Sequence, residues 1–152
     1  MNYRKIFQLI SYLQYPLMLM GLFYALVPYL KGFDYLKENP DIIFENYNYT
    51  LIFMGLGISI STLQDTTKTQ NNFSKKIWEN PKKGKIAIGI LSIMTFATIA
   101  IGIFGYFISV NEKLQQLSIG ILIFGIGLIG FLKTALEVFE NHRLDKNAAP
   151  KS

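Results

Sequence analysis

Long uncharged stretches alternate with short charged ones along this chain. Two of the uncharged stretches, Ile6–Leu30 and Ile86–Val110, are each 25 residues long. A bilayer core about 30 Å thick needs about 20 helical residues, at about 1.5 Å each. The pattern therefore predicts two helices that cross a membrane. Proline removes a hydrogen bond inside a helix, so we expect a kink in the first of them near Pro16.

Two further segments are less apolar. Leu117–Leu132 is uncharged over 16 residues, and Lys133 can extend its ammonium group to the lipid headgroups. This segment predicts a crossing over 117–136, with the helix continuing until about His142. Tyr47–Gln64 has a short apolar centre followed by hydroxyl side chains. Its hydropathy alone does not decide whether it crosses.

The distribution of charge decides the question of the segment 47–64. If this segment crosses, twelve of the 15 basic residues lie on one side, and only Lys31, Lys37 and Lys113 lie on the other. Basic residues accumulate in cytoplasmic loops. We therefore predict an all-α membrane protein with a four-transmembrane-helix bundle and both termini in the cytoplasm (N-in/C-in). The predicted single domain covers 1–152, with spans at about 6–30, 47–64, 86–110 and 117–136 and a cytoplasmic tail at 137–152.

Composition narrows the class of protein further. Charged residues make up 16% of the chain, the net charge is +5, and there is no cysteine. The lack of cysteine excludes disulfides and thiolate metal sites, and the basic flanks of apolar spans explain the charge without nucleic acid. The first apolar run is too long for a secretory signal, so we interpret it as an uncleaved span. A content rich in Ile, Lys and Asn is typical of low-GC bacteria and favours a bacterial inner (plasma) membrane.

Small residues recur at spacings of three and four in the predicted spans, which places them on single helix faces. Such faces allow helix backbones to approach closely in a membrane. We predict that five glycines pack the helices within the chain or join it to further copies or to a larger membrane complex, and the sequence leaves both open. These glycines are Gly102, Gly105, Gly120, Gly127 and Gly130, with Gly125 offset; the first span carries a similar stripe of Ser11, Gln14, Met18, Gly21, Ala25 and Pro28.

The loop between the second and third spans is basic and amphipathic. We expect residues 65–70 to extend the preceding helix. Phe73, Ile77 and Trp78 then fall on one side of a short helix that Pro81 ends, with Lys75 and Lys76 beside them. A segment of this kind lies at the membrane surface, with its lysines against anionic headgroups. Docking of a partner is the alternative, because tryptophan is enriched at interaction hot spots.

The two outer connections differ in length. We expect residues 31–46, which carry four carboxylates, to form a solvated loop. Residues 111–116 predict a tight turn, so the third and fourth spans must be antiparallel neighbours.

Missing residue types exclude several functions. No predicted span interior carries an ionisable side chain, which ion-coupled transport needs, and His142 is the only histidine. We therefore expect no enzyme activity, no catalytic residue, no bound metal and no cofactor. Two hypotheses remain: an accessory or scaffold subunit of a membrane complex, and a homo-oligomeric pore lined by the hydroxyls of Ser59, Ser61, Thr95 and Thr98. The first is favoured because polar residues are few.

Overall fold

The computed structural model describes residues 3–67 and 72–146, with the side chain of Arg4 excepted. Every regular element among these residues is a helix, which confirms the all-α class. Lys68, Lys151 and the tail at 147–152 lie outside the described residues. The helices are α1 (Tyr3–Ser11), α2 (Gln14–Leu30), α3 (Phe33–Glu38), α4 (Asp41–Ser61), α5 (Asn72–Trp78), α6 (Pro81–Ile108) and α7 (Glu112–His142).

Three helical stretches are long and apolar enough to cross a membrane. They are Lys5–Leu30, which joins α1 to α2, Pro81–Ile108 and Glu112–His142. Between 11% and 22% of the residues in the most apolar part of each stretch are buried. The apolar surface of these helices therefore faces outward, as it does in an integral membrane protein.

Burial in this protein is inverted relative to a water-soluble domain. Phe107 is 79% exposed and Ile93 is 72% exposed, although both lie in the most apolar helix. Polar side chains are buried instead, among them Thr95 at 2% exposure and Ser118 at 4%. A soluble domain buries its large apolar side chains, whereas membrane helices place small and polar residues at their contacts.

The four long helices form a row in the order α2, α4, α7, α6. Helix α4 packs on α2 and on α7, and α6 packs on α7, while the two end helices share no comparable contact in the described residues. Helices α4 and α7 run in parallel, because Asn48 lies beside Gly120 and Thr62 beside Gly130. The pairs α2–α4 and α6–α7 are antiparallel, as shown by contacts such as those of Gly57 with Met18 and Gly102 with Leu122. The prediction that the last two spans are antiparallel neighbours is confirmed.

The first apolar run is broken where the proline predicted a kink. Helix α1 ends at Ser11 and α2 begins at Gln14, two residues before Pro16. Ser11 is fully buried, and its hydroxyl donates to the carbonyl of Gln8 at 2.7 Å. The predicted stripe on this run is also inside the protein, because Gln14, Gly21 and Pro28 are buried too.

The expectation that residues 31–46 form a loop is wrong. Gly32, at a φ of 91°, turns the chain into α3, and α4 then begins at Asp41, six residues before the predicted span. Pro40 precedes the first turn of α4, where an acidic residue, Asp41, is favourably placed at the positive end of the helix dipole. The local start signals therefore outweigh the polar composition of this segment.

The helix extension predicted for residues 65–70 is also wrong over its described part. Helix α4 ends at Ser61. The carboxylate of Asp65 accepts hydrogen bonds from the backbone N–H and the hydroxyl of Thr67, at 3.0 and 2.7 Å. An aspartate that binds the backbone two residues ahead favours a turn over a helix.

Proline starts a helix in the basic loop rather than ending one. Helix α5 ends at Trp78, and Pro81 is the first residue of α6. The side chain of Asn80 accepts hydrogen bonds from the N–H groups of Lys82 and Lys83, at 3.0 and 3.1 Å, which caps α6. Helix α7 ends at His142, as predicted.

Candidate functional site

The glycine face of α7 contacts both backbone and side-chain atoms of α4. A Cβ atom added at Gly127 would strike the carbonyl group of Gly55. One added at Gly120 would lie 2.5 Å from the side-chain oxygen of Asn48 and 2.8 Å from its carbonyl oxygen. Gly130 faces the side chain of Thr62. These three glycines, which the sequence placed on one face, all serve the α4–α7 contact.

The contact between α6 and α7 pairs glycines with side chains. A Cβ atom at Gly102 would lie 2.8 Å from Leu122, and one at Gly105 would lie 2.5 Å from the hydroxyl of Ser118. On α7, Gly125 faces Ile99 of α6. All five predicted glycines therefore take part in helix contacts within a single chain.

The short helix α5 divides the predicted surface residues into two groups. Phe73 is 73% exposed, and Lys75 and Lys76 are exposed beside it. Ile77 and Trp78 are half-buried, and the indole N–H of Trp78 donates to the hydroxyl of Ser74 at 2.8 Å. Helix α5 packs on α6 and α7. Its inner residues attach it to the long helices, and its outer residues form what we call the α5 surface: Phe73, Lys75 and Lys76.

The C-terminal end of α7 packs against the start of α6. Phe139 is buried against Gly84, and the guanidinium of Arg143 lies 5.1 Å from the Phe139 ring centre. Arg143 donates to both carboxylate oxygens of Asp145, at 2.8 and 2.7 Å, and to Glu140 at 2.8 Å. These hydrogen bonds from Arg143 hold the pKa of Asp145 below its usual range, against a smaller opposing effect of burial.

A cavity of about 460 Å³ lies among α2, α4, α5 and α7. Its walls combine apolar side chains, such as Met18 and Phe131, with polar ones, such as Ser61 and Thr134. Trp78 of α5 also lines it, as does Gln14 at the start of α2, which is only 7% exposed. Volumes of this order are typical of small-molecule sites.

The hydroxyls proposed for a pore are mostly engaged within their own helices. Ser61 donates to the carbonyl of Ile58 at 2.6 Å, and Thr95 donates to that of Leu91 at 2.8 Å. Thr98 makes the same kind of bond. Because Thr95 is 2% exposed, packing already covers it within one chain.

His142 does not gather ligands for a metal. Its Nδ1 atom lies 2.8 Å from the carbonyl oxygen of Val138 in the preceding turn. The described residues include no group of three or more His, Asp or Glu side chains that could hold a metal ion.

Comparisons with known proteins give no match to this chain. No protein-family model matches it, and no curated protein and no solved structure is significantly similar to it.

The cavity is the feature that sequence reasoning missed. Periodicity places Gln14 on the buried stripe of the first span, but it does not show which helices meet there. The available signal was an amide, Gln14, inside an uncharged, mostly apolar run whose other amide, Gln8, lies near its start. Buried polar side chains in membranes are costly and mark functional positions more often than apolar ones do.

Proposed function

We propose that this protein is a non-enzymatic subunit of a bacterial inner-membrane complex, with an accessory or scaffold role. In this proposal the chain crosses the membrane four times and keeps both termini in the cytoplasm. The α5 surface binds the partner protein. The observation on which the role depends is that a short helix, held by its half-buried Trp78, presents an exposed phenylalanine beside two lysines.

The position of α4 supports a fourth crossing. This helix has 21 residues, which corresponds to about 30 Å at about 1.5 Å per residue. It contacts α2 on one side and α7 on the other, over a stretch from Asn48 to Thr62. A helix that runs alongside two membrane-crossing helices passes through the same layer.

The polar residues at the start of α4 face its neighbours, which makes them compatible with that position. Asn46 is 8% exposed, and its amide donates to the carbonyl of Ile42 at 2.8 Å. The hydroxyl of Thr50 donates to the carbonyl of Asn46 at 2.9 Å. Backbone acceptors thus satisfy these donors within the helix, which lowers the cost of placing them in a membrane.

Charge at the two ends of the row supports the orientation. One end carries α5, the start of α6 and the end of α7, and this end holds most of the lysines. The opposite end carries the ion pair between Lys113 and Glu45, near Asp41 and Glu112. Because basic residues favour the cytoplasmic side, we assign the α5 end to the cytoplasm.

Single-cysteine labelling tests the four crossings, because the natural chain has no cysteine. Phe33→Cys and Val110→Cys introduce thiols at positions 72% and 99% exposed near one end of the row, and Phe73→Cys introduces one at the other. We expect a membrane-impermeant maleimide to label the first two in intact spheroplasts and the third only after permeabilisation. Labelling of both Phe33→Cys and Phe73→Cys from outside would show that α4 does not cross.

Purification in a mild detergent tests the accessory role. We expect the native mass of the assembly to exceed that of the chain, with a second protein present. The double variant Phe73→Ala/Lys76→Ala should lose that protein. Phe107→Ala removes an exposed phenylalanine from the far end of α6 and should retain it. Recovery of a chain-only ring that conducts ions in liposomes would favour the pore, and recovery of a monomer would contradict both roles.

A further inference from the structure

The cavity lies beside α4, between α2 and α7. Helices α2 and α7 both pack on α4 but make no extensive contact with each other in the described residues. A space is therefore left over α4 between them, and Trp78 of α5 lines it at the end assigned to the cytoplasm.

The walls of the cavity change from apolar to polar along its length on two of the helices. On α2, Gln14 lies nearer the α5 end than Met18 does, and on α4, Ser61 lies nearer that end than Ile58 does. Helix α7 keeps an apolar lining toward that end, with Ala135 and Val138 beyond Thr134. An amphiphile whose polar group points to the cytoplasmic face and whose chain points to the membrane centre matches this order.

Gln14 provides the second observation. It is 93% buried, and its side chain lines the cavity wall. Burying an amide costs free energy that a leucine of similar size would avoid. A carboxamide can donate and accept at the same time, so it fits a ligand group that also does both.

The charged residues in the cavity walls indicate which class of ligand fits. The described lining residues include Asp65 and no lysine, arginine or histidine. A phosphate headgroup would find no cation there. A ligand hydroxyl could donate to the oxygens of Ser61 and Thr134, whose own protons are bonded to the carbonyls of Ile58 and Gly130. An ester carbonyl could accept from the amide of Gln14. The apolar end is lined by flexible and aromatic side chains, among them Met18 and Phe131.

We propose that this cavity binds an uncharged glyceride from the cytoplasmic leaflet. The carboxamide of Gln14 forms a hydrogen bond with the glycerol hydroxyl or the ester carbonyl of the ligand. The acyl chain lies along Met18, Leu128 and Phe131. The proposal assumes that the protein is embedded in a membrane, but it does not depend on the accessory role. Binding is measured on the purified full-length chain, so the absence of a partner protein would not affect it.

Fluorescence of Trp78 gives a direct measurement, because it is the one tryptophan of the chain and lines the cavity. The probe is a monoacylglycerol with a nitroxide near its ester, added to the protein in detergent micelles. We expect saturable quenching of Trp78. Unlabelled monooleoylglycerol should reverse it, and lysophosphatidic acid with the same chain should compete at least tenfold less well.

The variant Gln14→Leu separates binding from structure. We expect it to weaken binding of the probe about tenfold while the midpoint of unfolding in SDS stays the same or rises, because a buried polar group has been removed. A merely structural role for Gln14 would lower that midpoint. The matched control is Gln116→Leu, at an exposed glutamine near the opposite end of the row, and it should leave binding unchanged.

Three results would overturn the proposal. They are quenching that rises without saturation, equal or better competition by lysophosphatidic acid, and unchanged affinity in a folded Gln14→Leu protein. The first would mean that the probe only partitions into the micelle. The second would assign the cavity to anionic lipids, and the third would remove Gln14 from the site.

Discussion

Helix α7 makes contacts of two different kinds with its two neighbours. Toward α4, the closest approach joins backbone to backbone, with Gly127 against Gly55. Toward α6, the nearest atom to each glycine belongs to a side chain, such as that of Ile99 for Gly125 and that of Leu122 for Gly102. The two contacts bury similar kinds of residue. They differ in whether the atoms facing the glycine belong to a fixed helix backbone or to a side chain that can change its rotamer.

This difference indicates which contact tolerates change. A helix backbone cannot shift locally without disturbing its own hydrogen bonds, whereas a side chain can adopt another rotamer at modest cost. The α4–α7 contact should therefore be strict and the α6–α7 contact adaptable. The strict contact also holds α4 in place. Of the four long helices, α4 is the one without a stretch apolar enough to be a candidate span, so lipid alone would retain it weakly.

The largest effect is expected at Gly127. Gly127→Leu places a branched side chain against the backbone of Gly55, and we expect it to lower the free energy of unfolding by about 3 kcal/mol or more. Titration with SDS in mixed micelles, followed by Trp78 fluorescence, measures this change. Gly89→Leu is the matched control, because no described atom lies within 4 Å of a Cβ built at Gly89. Equal midpoints for the two variants would refute the strict contact.

A smaller and reversible effect is expected at Gly125. In Gly125→Ala the added methyl would lie 2.7 Å from a side-chain carbon of Ile99, and we expect a loss of about 1 kcal/mol. Adding Ile99→Ala should recover part of that loss, which a double-mutant cycle measures as a coupling energy. Gly127→Ala offers no such rescue, because its neighbour is the backbone of Gly55. Absence of coupling between positions 99 and 125 would mean that the α6–α7 contact is not adaptable.

The smallest effect concerns pH at the α5 end of the α6–α7 contact. The pKa of Asp145 is lowered in the folded protein by the hydrogen bonds from Arg143. The unfolded state therefore binds a proton more readily, so the stabilisation is present above the ordinary aspartate pKa and is lost as pH falls through the lowered value. We expect faster hydrogen exchange in residues 139–146 on acidification, after correction for intrinsic rates, with α4 unaffected.

A single substitution checks the origin of that pH dependence. Asp145→Asn removes the titrating group but keeps the shape of the side chain. Its exchange in residues 139–146 should already be raised at neutral pH and should change less on acidification. If α4 responded to pH as strongly as residues 139–146 do, the two contacts of α7 would not be independent.

The sequence predicts the faces of the helices better than it predicts their partners. Spacing places Gly120, Gly127 and Gly130 together and Gly125 apart, and the structure turns these groups toward α4 and α6 respectively. Nothing in the spacing shows which neighbour lies on which side, since that depends on the order of helices in the row. The cavity at Gln14 went unpredicted for the same reason, because four helices form it.

Boundaries were predicted well where hydropathy changes sharply and poorly where capping residues act. The C-terminal end of α7 matches the prediction because apolar positions continue to that point. The starts of α4 and α6 lie several residues earlier than the apolar runs, at Asp41 and Pro81. In both places a proline near the first turn begins the helix within a polar segment, so local backbone preference outweighs hydropathy.

The row has the same order of directions from either end: an outer helix, then an inner helix antiparallel to it. Each inner helix carries two glycines two residues apart, Gly55 and Gly57 in α4 and Gly125 and Gly127 in α7. One glycine of each pair meets the other inner helix, and the second meets the outer helix of its own pair. The protein thus consists of two helical hairpins, α2–α4 and α6–α7, that meet through their inner helices in the same manner.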